Sequence, residues 1–135
     1  MWQQVLGVHL KLQTLDFKVY VDTVVKHNFD IALCSWIAQY IDPTSLLVLF
    51  KENGSEKNHS LWEHPDYIEA LNSAALEPNT EKRFDILEKA EEIFAKEMPA
   101  IPLFHDNSLY LQRENIKNLY ISPLGLVYIH NVSIE

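Results

Sequence analysis

The run from about Thr80 to Met98, "TEKRFDILEKAEEIFAKEM", constrains this chain more than any other stretch. Phe84, Leu87, Ile93, Phe94 and Met98 recur at helical spacing, with charges between them and Pro99 closing the run. This is the pattern of a long amphipathic helix stopped by a residue that cannot continue it. Such a helix buries one face only, so the rest of the chain must supply a layer for it to pack on. A second helix is expected after "HPD", with His64 as cap, Pro65 at the first position and Tyr67, Ile68, Leu71, Ala74 and Ala75 as the apolar stripe. Upstream, Phe17, Tyr20, Val21, Val24 and Val25 form another helical stripe, with Asp16 as N-cap and Asn28 as stop.

That upstream helix is flanked by two strand candidates, Val8 to Gln13 and Phe29 to Trp36, which together predict a βαβ unit with parallel strands. Gly7 is placed to end a preceding helical turn in the left-handed conformation. Pro43 to Phe50 reads as a short helix, and "KENGSEKNHS" as an exposed polar loop. From Ala100 onward the segments "IPLFHD", "SLYLQ", "NLYI" and "VYIHNVSIE" read as short strands. The fold class expected is therefore α/β.

Composition removes several function classes. With 11 Lys and Arg against 19 Asp and Glu, the formal charge is -8, and no basic run could neutralise a phosphate backbone. Nucleic acid is not an expected partner. The apolar run ending at Phe50 is far shorter than the roughly 20 residues that span a bilayer. Cys34 is the only cysteine, so no disulfide forms within the chain; its mid-strand place reads as a small buried hydrophobe. The six histidines lack the spacing of helical metal ligands and read as solvated or capping, so no metal or cofactor is expected. The sequons at Asn53, Asn58 and Asn131 are short enough to occur by chance. No Gly-rich phosphate loop or nucleophile elbow occurs, and enzyme activity has no positive support. The start of the chain carries no basic region and apolar core of an export signal.

One corner admits a functional reading. The strand candidate ending at Trp36 breaks into a turn holding Gln39, Tyr40 and Asp42 before Pro43. In α/β sheets ligands gather beyond the carboxyl ends of strands, and Trp36 offers an apolar face while Gln39 offers both a donor and an acceptor. The same residues make an ordinary turn and helix start, which on residue chemistry alone is the simpler reading.

The order "FDIALCSWIAQYIDPTSLLVLF", Asn58, Trp62, "DYIEALNSAAL" and "EKRFDILEKAEEIFAKEMPAIPLF" resembles the C-terminal part of the extracytoplasmic oligopeptide-binding proteins of ABC transporters. The matching elements are Trp36, Asp42-Pro43, Arg83, Ala90-Glu91 and Pro99-Ala100-Ile101-Pro102, and the ending "SPLGLVYIHNVSIE" fits the family's final segment. The resemblance implies a lobe of a periplasmic-binding-protein-like (type II) fold that closes on a peptide and delivers it to a membrane permease. Residues 1–106 would be the C-terminal portion of the second ligand-binding lobe, and 107–135 the strands returning toward the first lobe. Met1 would then fall inside the domain, making the chain a fragment; the alternative is a truncated, non-transporting remnant or a small α/β interaction module. A fragment would expose apolar lobe surface and self-associate through it.

By the same resemblance, the backbone of Ser35, Trp36 and Ile37 pairs with the peptide backbone, as in strand addition. Many relatives hold the peptide's free amino group with an aspartate three residues after the Trp. This sequence has Gln39 there, which cannot supply the ion pair, and Asp106 is the candidate for a replacement charge.

Overall fold

In the computed structural model, which describes residues 2–105, 107 and 109–135, the long amphipathic run is a helix over Thr80–Glu97. Its start is capped by Asn79, whose side chain accepts a hydrogen bond from the Lys82 N–H at 3.0 Å. At its end Met98 takes the left-handed conformation (φ 50°) and donates its N–H to Phe94, after which Pro99 precludes continuation. The other helices are α1 (Trp2–Leu6), α2 (Phe17–Val25), α3 (Thr44–Leu47) and α4 (Pro65–Leu76), making the long helix α5; a single 3-10 turn, Val48–Phe50, continues α3.

The chain divides into two compact units, Met1–Leu33 and Cys34–Glu135. In the first, Gly7 ends α1 with φ +67° and its N–H bonded to the Gln3 carbonyl, as expected of a left-handed cap. Asp16 caps α2 by accepting from Lys18 N–H at 3.0 Å. The expected stop at Asn28 is a Schellman motif: Asn28 N–H bonds Thr23 C=O and His27 N–H bonds Val24 C=O, with His27 in the left-handed position.

The two strands of the expected βαβ unit, Val8 to Gln13 and Phe29 to Trp36, carry no ladder among the described residues. A strand exists only beside a partner that takes up its backbone groups, which apolar content alone does not supply. Leu10, Leu12, Ile31 and Leu33 are correspondingly exposed. Cys34, expected to be buried mid-strand, is exposed for the same reason.

In the second unit α4 and α5 pack on each other and on α3. Leu47, Tyr67, Leu71, Ala74, Leu87 and Ala90 form the core, flanked by Phe50, Trp62, Ile93 and Phe94. The predicted stripe of α5 is thus narrower than its apolar residues suggest, since Phe84 and Met98 at its ends stay about half exposed. Phe50, Trp62 and Phe94 meet edge to face, at 4.8 Å for Phe50–Phe94 and 6.2 Å for Trp62–Phe94. Tyr67, wholly buried, donates its hydroxyl to the Leu47 carbonyl at 2.6 Å and so ties α4 to the end of α3. Burial, and secondarily the charge of Glu91, push this phenol far above its ordinary value. His64 occupies the cap position of α4 without a side-chain cap bond and instead stacks on Trp62 at 6.0 Å.

The C-terminal strands are short and antiparallel: β1 (Ile116–Lys117) pairs with β4 (Ser133–Ile134), and β2 (Tyr120–Ile121) with β3 (Val127–Tyr128). Gly125, at φ +75°, closes the β2–β3 hairpin with its N–H on the Ser122 carbonyl. Of the four strand candidates in this region, "NLYI" and "VYIHNVSIE" form ladders. "IPLFHD" and "SLYLQ" show none among their described residues. The chain is thus a mixture of helix and strand.

Candidate functional site

The corner after Trp36 is built around Asp42. Its carboxylate accepts two parallel hydrogen bonds from Arg83 of α5, Nη1 to Oδ2 and Nη2 to Oδ1, each 2.8 Å. It also accepts from the Thr44 N–H at 2.9 Å and from the Thr44 hydroxyl, while the Asp42 carbonyl accepts from Ser45 N–H. The Arg83 hydrogen bonds, aided by those from Thr44, hold the Asp42 carboxyl well below the usual carboxylate range, against the opposing effect of burial. This fork locks the turn, the start of α3 and α5 into one frame. Arg83 is named from the sequence as an element of the family resemblance; its partner lies 41 positions away, and no local spacing signals the pair.

On that frame the corner opens into a cavity of about 340 Å³. Trp36, Gln39 and Tyr40 line it from the corner, Ser45, Val48 and Leu49 from α3 and its 3-10 continuation, and Lys51, Glu52, Ser55 and Lys57 from the following loop. Gln39 donates its backbone N–H to the Ser45 hydroxyl at 2.7 Å, which fixes the corner to α3. The Lys57 ammonium lies 6.0 Å from the Trp36 ring centroid, at the reach of a cation–π contact.

The loop carrying Lys57 is held by Asn58, whose side chain is wholly buried. Its Nδ2 donates to the carbonyls of Glu52 (3.1 Å) and Trp62 (2.8 Å), and its Oδ1 accepts from the Ser60 hydroxyl (2.8 Å). A buried amide so fully engaged is inaccessible to glycosylation, so the sequon at Asn58 is a coincidence of spelling. The loop expected to be simply polar and exposed therefore has an internal anchor.

The expected site residues fall as follows. Trp36 and Gln39 share the cavity. Ser35 and Ile37 lie outside its lining, in the exposed segment that leads into it. Among the described residues, no backbone hydrogen bond engages Ser35, Trp36 or Ile37, so three consecutive peptide groups present donors and acceptors at the cavity's edge. Asp106 lies outside the described residues. No group of three or more His, Cys, Asp or Glu among the described residues could hold a metal ion.

The oligopeptide-binding protein OppA of Bacillus subtilis is 33% identical over 131 residues, which is 97% of this chain and 24% of that protein. The periplasmic murein peptide-binding protein MppA of Escherichia coli is 33% identical over 104 residues, 77% of this chain and 19% of its own length. Among solved structures, the pheromone receptor PrgZ superposes with a TM-score of 0.82 at 27% identity, over 98% of this chain and 25% of that one.

The chain is homologous to a part of the oligopeptide-binding proteins.

It spans about a quarter or less of the length of these relatives. No protein-family model matches it. The fold is that of the periplasmic-binding-protein-like peptide binders, and the relatives' names describe binding of oligopeptides and murein peptides rather than catalysis. Some relatives are periplasmic, and no helix among the described residues is long and apolar enough to cross a membrane.

Proposed function

We propose that this chain contributes the peptide-contacting edge of a solute-binding protein that captures peptides outside the cytoplasm and delivers them to the permease of an ABC importer. The observation that carries the reading is the run of exposed peptide groups at Ser35, Trp36 and Ile37, without a backbone partner among the described residues, beside the cavity of Trp36 and Gln39. An extended ligand added to such an edge gains main-chain hydrogen bonds that do not depend on its sequence, and the cavity takes one of its side chains. The role is binding rather than catalysis. Gln39 offers an amide in place of a charge, so it supplies no countercharge for a ligand's amino group, for which Asp106 is the candidate. Residues 1–106 belong to the second ligand-binding lobe and 107–135 return toward the first. Exposed apolar residues such as Leu103, Phe104, Leu109 and Leu111 make the isolated chain prone to self-association.

Titration of the 15N-labelled chain with millimolar oligopeptide tests the site. The expected result is shifts centred on the Ser35 to Gln39 amides and the Trp36 indole, weakened in Trp36→Ala and Gln39→Ala. Shifts elsewhere only, or affinities that neither substitution changes, would overturn the assignment.

A further inference from the structure

Resting on the reading of the corner as a peptide edge, we infer that the cavity beside Trp36 selects a peptide bearing an acidic side chain, with the Lys57 ammonium as its counter-ion. Although the chain as a whole carries -8, this cavity is lined by two lysines, Lys51 and Lys57, against one carboxylate, Glu52. Neither lysine has an ion-pair partner among the described residues; the ion pairs are Lys26–Asp22 and Arg83–Asp42. The other acid at the corner, Asp42, is already taken by Arg83 and Thr44 and is absent from the cavity lining. The Lys57 ammonium lies 6.0 Å from the Trp36 ring, a contact that positions a cation without cancelling its charge.

The position of Lys57 is set by the fold and is not left to a drifting surface chain. The next residue is the wholly buried Asn58, whose three side-chain hydrogen bonds fix the loop. Gln39, which lines the same cavity, has an amide N–H that can donate to a carboxylate. A Glu or Asp side chain of a bound peptide would therefore meet an ammonium, an amide donor and an aromatic wall. A Lys or Arg side chain would meet a like charge in a confined space, which discriminates against it by repulsion as well as by lost attraction. Glu52 opposes the preference, so its removal sharpens the selection.

The test uses oligoalanine hosts carrying Glu, Gln or Lys at a single guest position, scanned along the peptide and titrated into the 15N-labelled chain. The Glu peptide should bind about tenfold more tightly than its Gln counterpart at low salt, the lower end of what a hydrogen bond to a charged group contributes. The Lys peptide should bind more weakly than either. Lys57→Gln should abolish the ranking, and Glu52→Gln should widen it. Equal binding of all three guests at every position, with shifts still at Ser35 to Gln39, overturns the charge selection alone. Absence of any peptide-dependent shift overturns the peptide edge and this inference together.

Discussion

Asn58→Ala is the sharpest test of how the site loop is held. The amide makes three hydrogen bonds at 2.8 to 3.1 Å in a position with no exposed surface. A net contribution of about 1 kcal/mol for each gives a loss of about 3 kcal/mol, since the substitution leaves the Glu52 and Trp62 carbonyls without their side-chain donor. Urea unfolding monitored by tryptophan fluorescence reads that loss as a fall in midpoint at nearly constant slope. Ser60→Ala removes only the bond to Oδ1 and should cost about 1 kcal/mol. Asn58→Asp keeps the volume but turns an oxygen toward two carbonyls, so it should destabilise at least as much as the alanine variant. If Asn58→Asp were as stable as the parent, or Asn58→Ala cost less than the single-bond control, the loop would be held by packing and the hydrogen-bond account would fail.

Three further outcomes follow from the same geometry. Because Asp42 is held below its ordinary value of 3.8, its stabilising effect is complete above that pH. It drains away below it, as the unfolded chain takes up a proton that the folded chain refuses. Asp42→Asn should flatten this acid limb of the stability profile, measured as unfolding midpoint against pH. Tyr67→Phe should cost about 1 to 2 kcal/mol through the lost bond to the buried Leu47 carbonyl, read by thermal unfolding. Met98→Gly should stabilise by about 0.5 to 1 kcal/mol, because Met98 holds a left-handed conformation that glycine adopts without strain and is about half exposed.

What the sequence made legible is what is local. Asp16 before α2, Pro65 opening α4 and Pro99 closing α5 act on backbone groups within a few positions, and each helix appears where its signal places it. The parallel strands expected over Val8 to Gln13 and Phe29 to Trp36 form no ladder among the described residues, because pairing depends on a partner that the sequence of one segment does not name. Trp36 and Gln39 could be picked out by chemistry and by resemblance. Lys57 could not, since it reaches Trp36 across a loop folded around a buried amide; Arg83 was visible in the family pattern, but its pairing with Asp42, 41 positions away, was not. Asn58 was visible as part of a family pattern; its role as an anchor becomes visible only when its burial and its three partners are seen together.

Ser35, Trp36 and Ile37 are proposed to form an edge that pairs with an extended peptide. Amide hydrogen exchange of these residues with and without millimolar oligopeptide tests it most directly. Pairing on one edge engages alternate residues, so exchange should slow at Trp36 or at its two neighbours but not equally at all three, with no comparable change in α4 or α5. Unchanged exchange across the three amides under conditions where peptide is bound would contradict it.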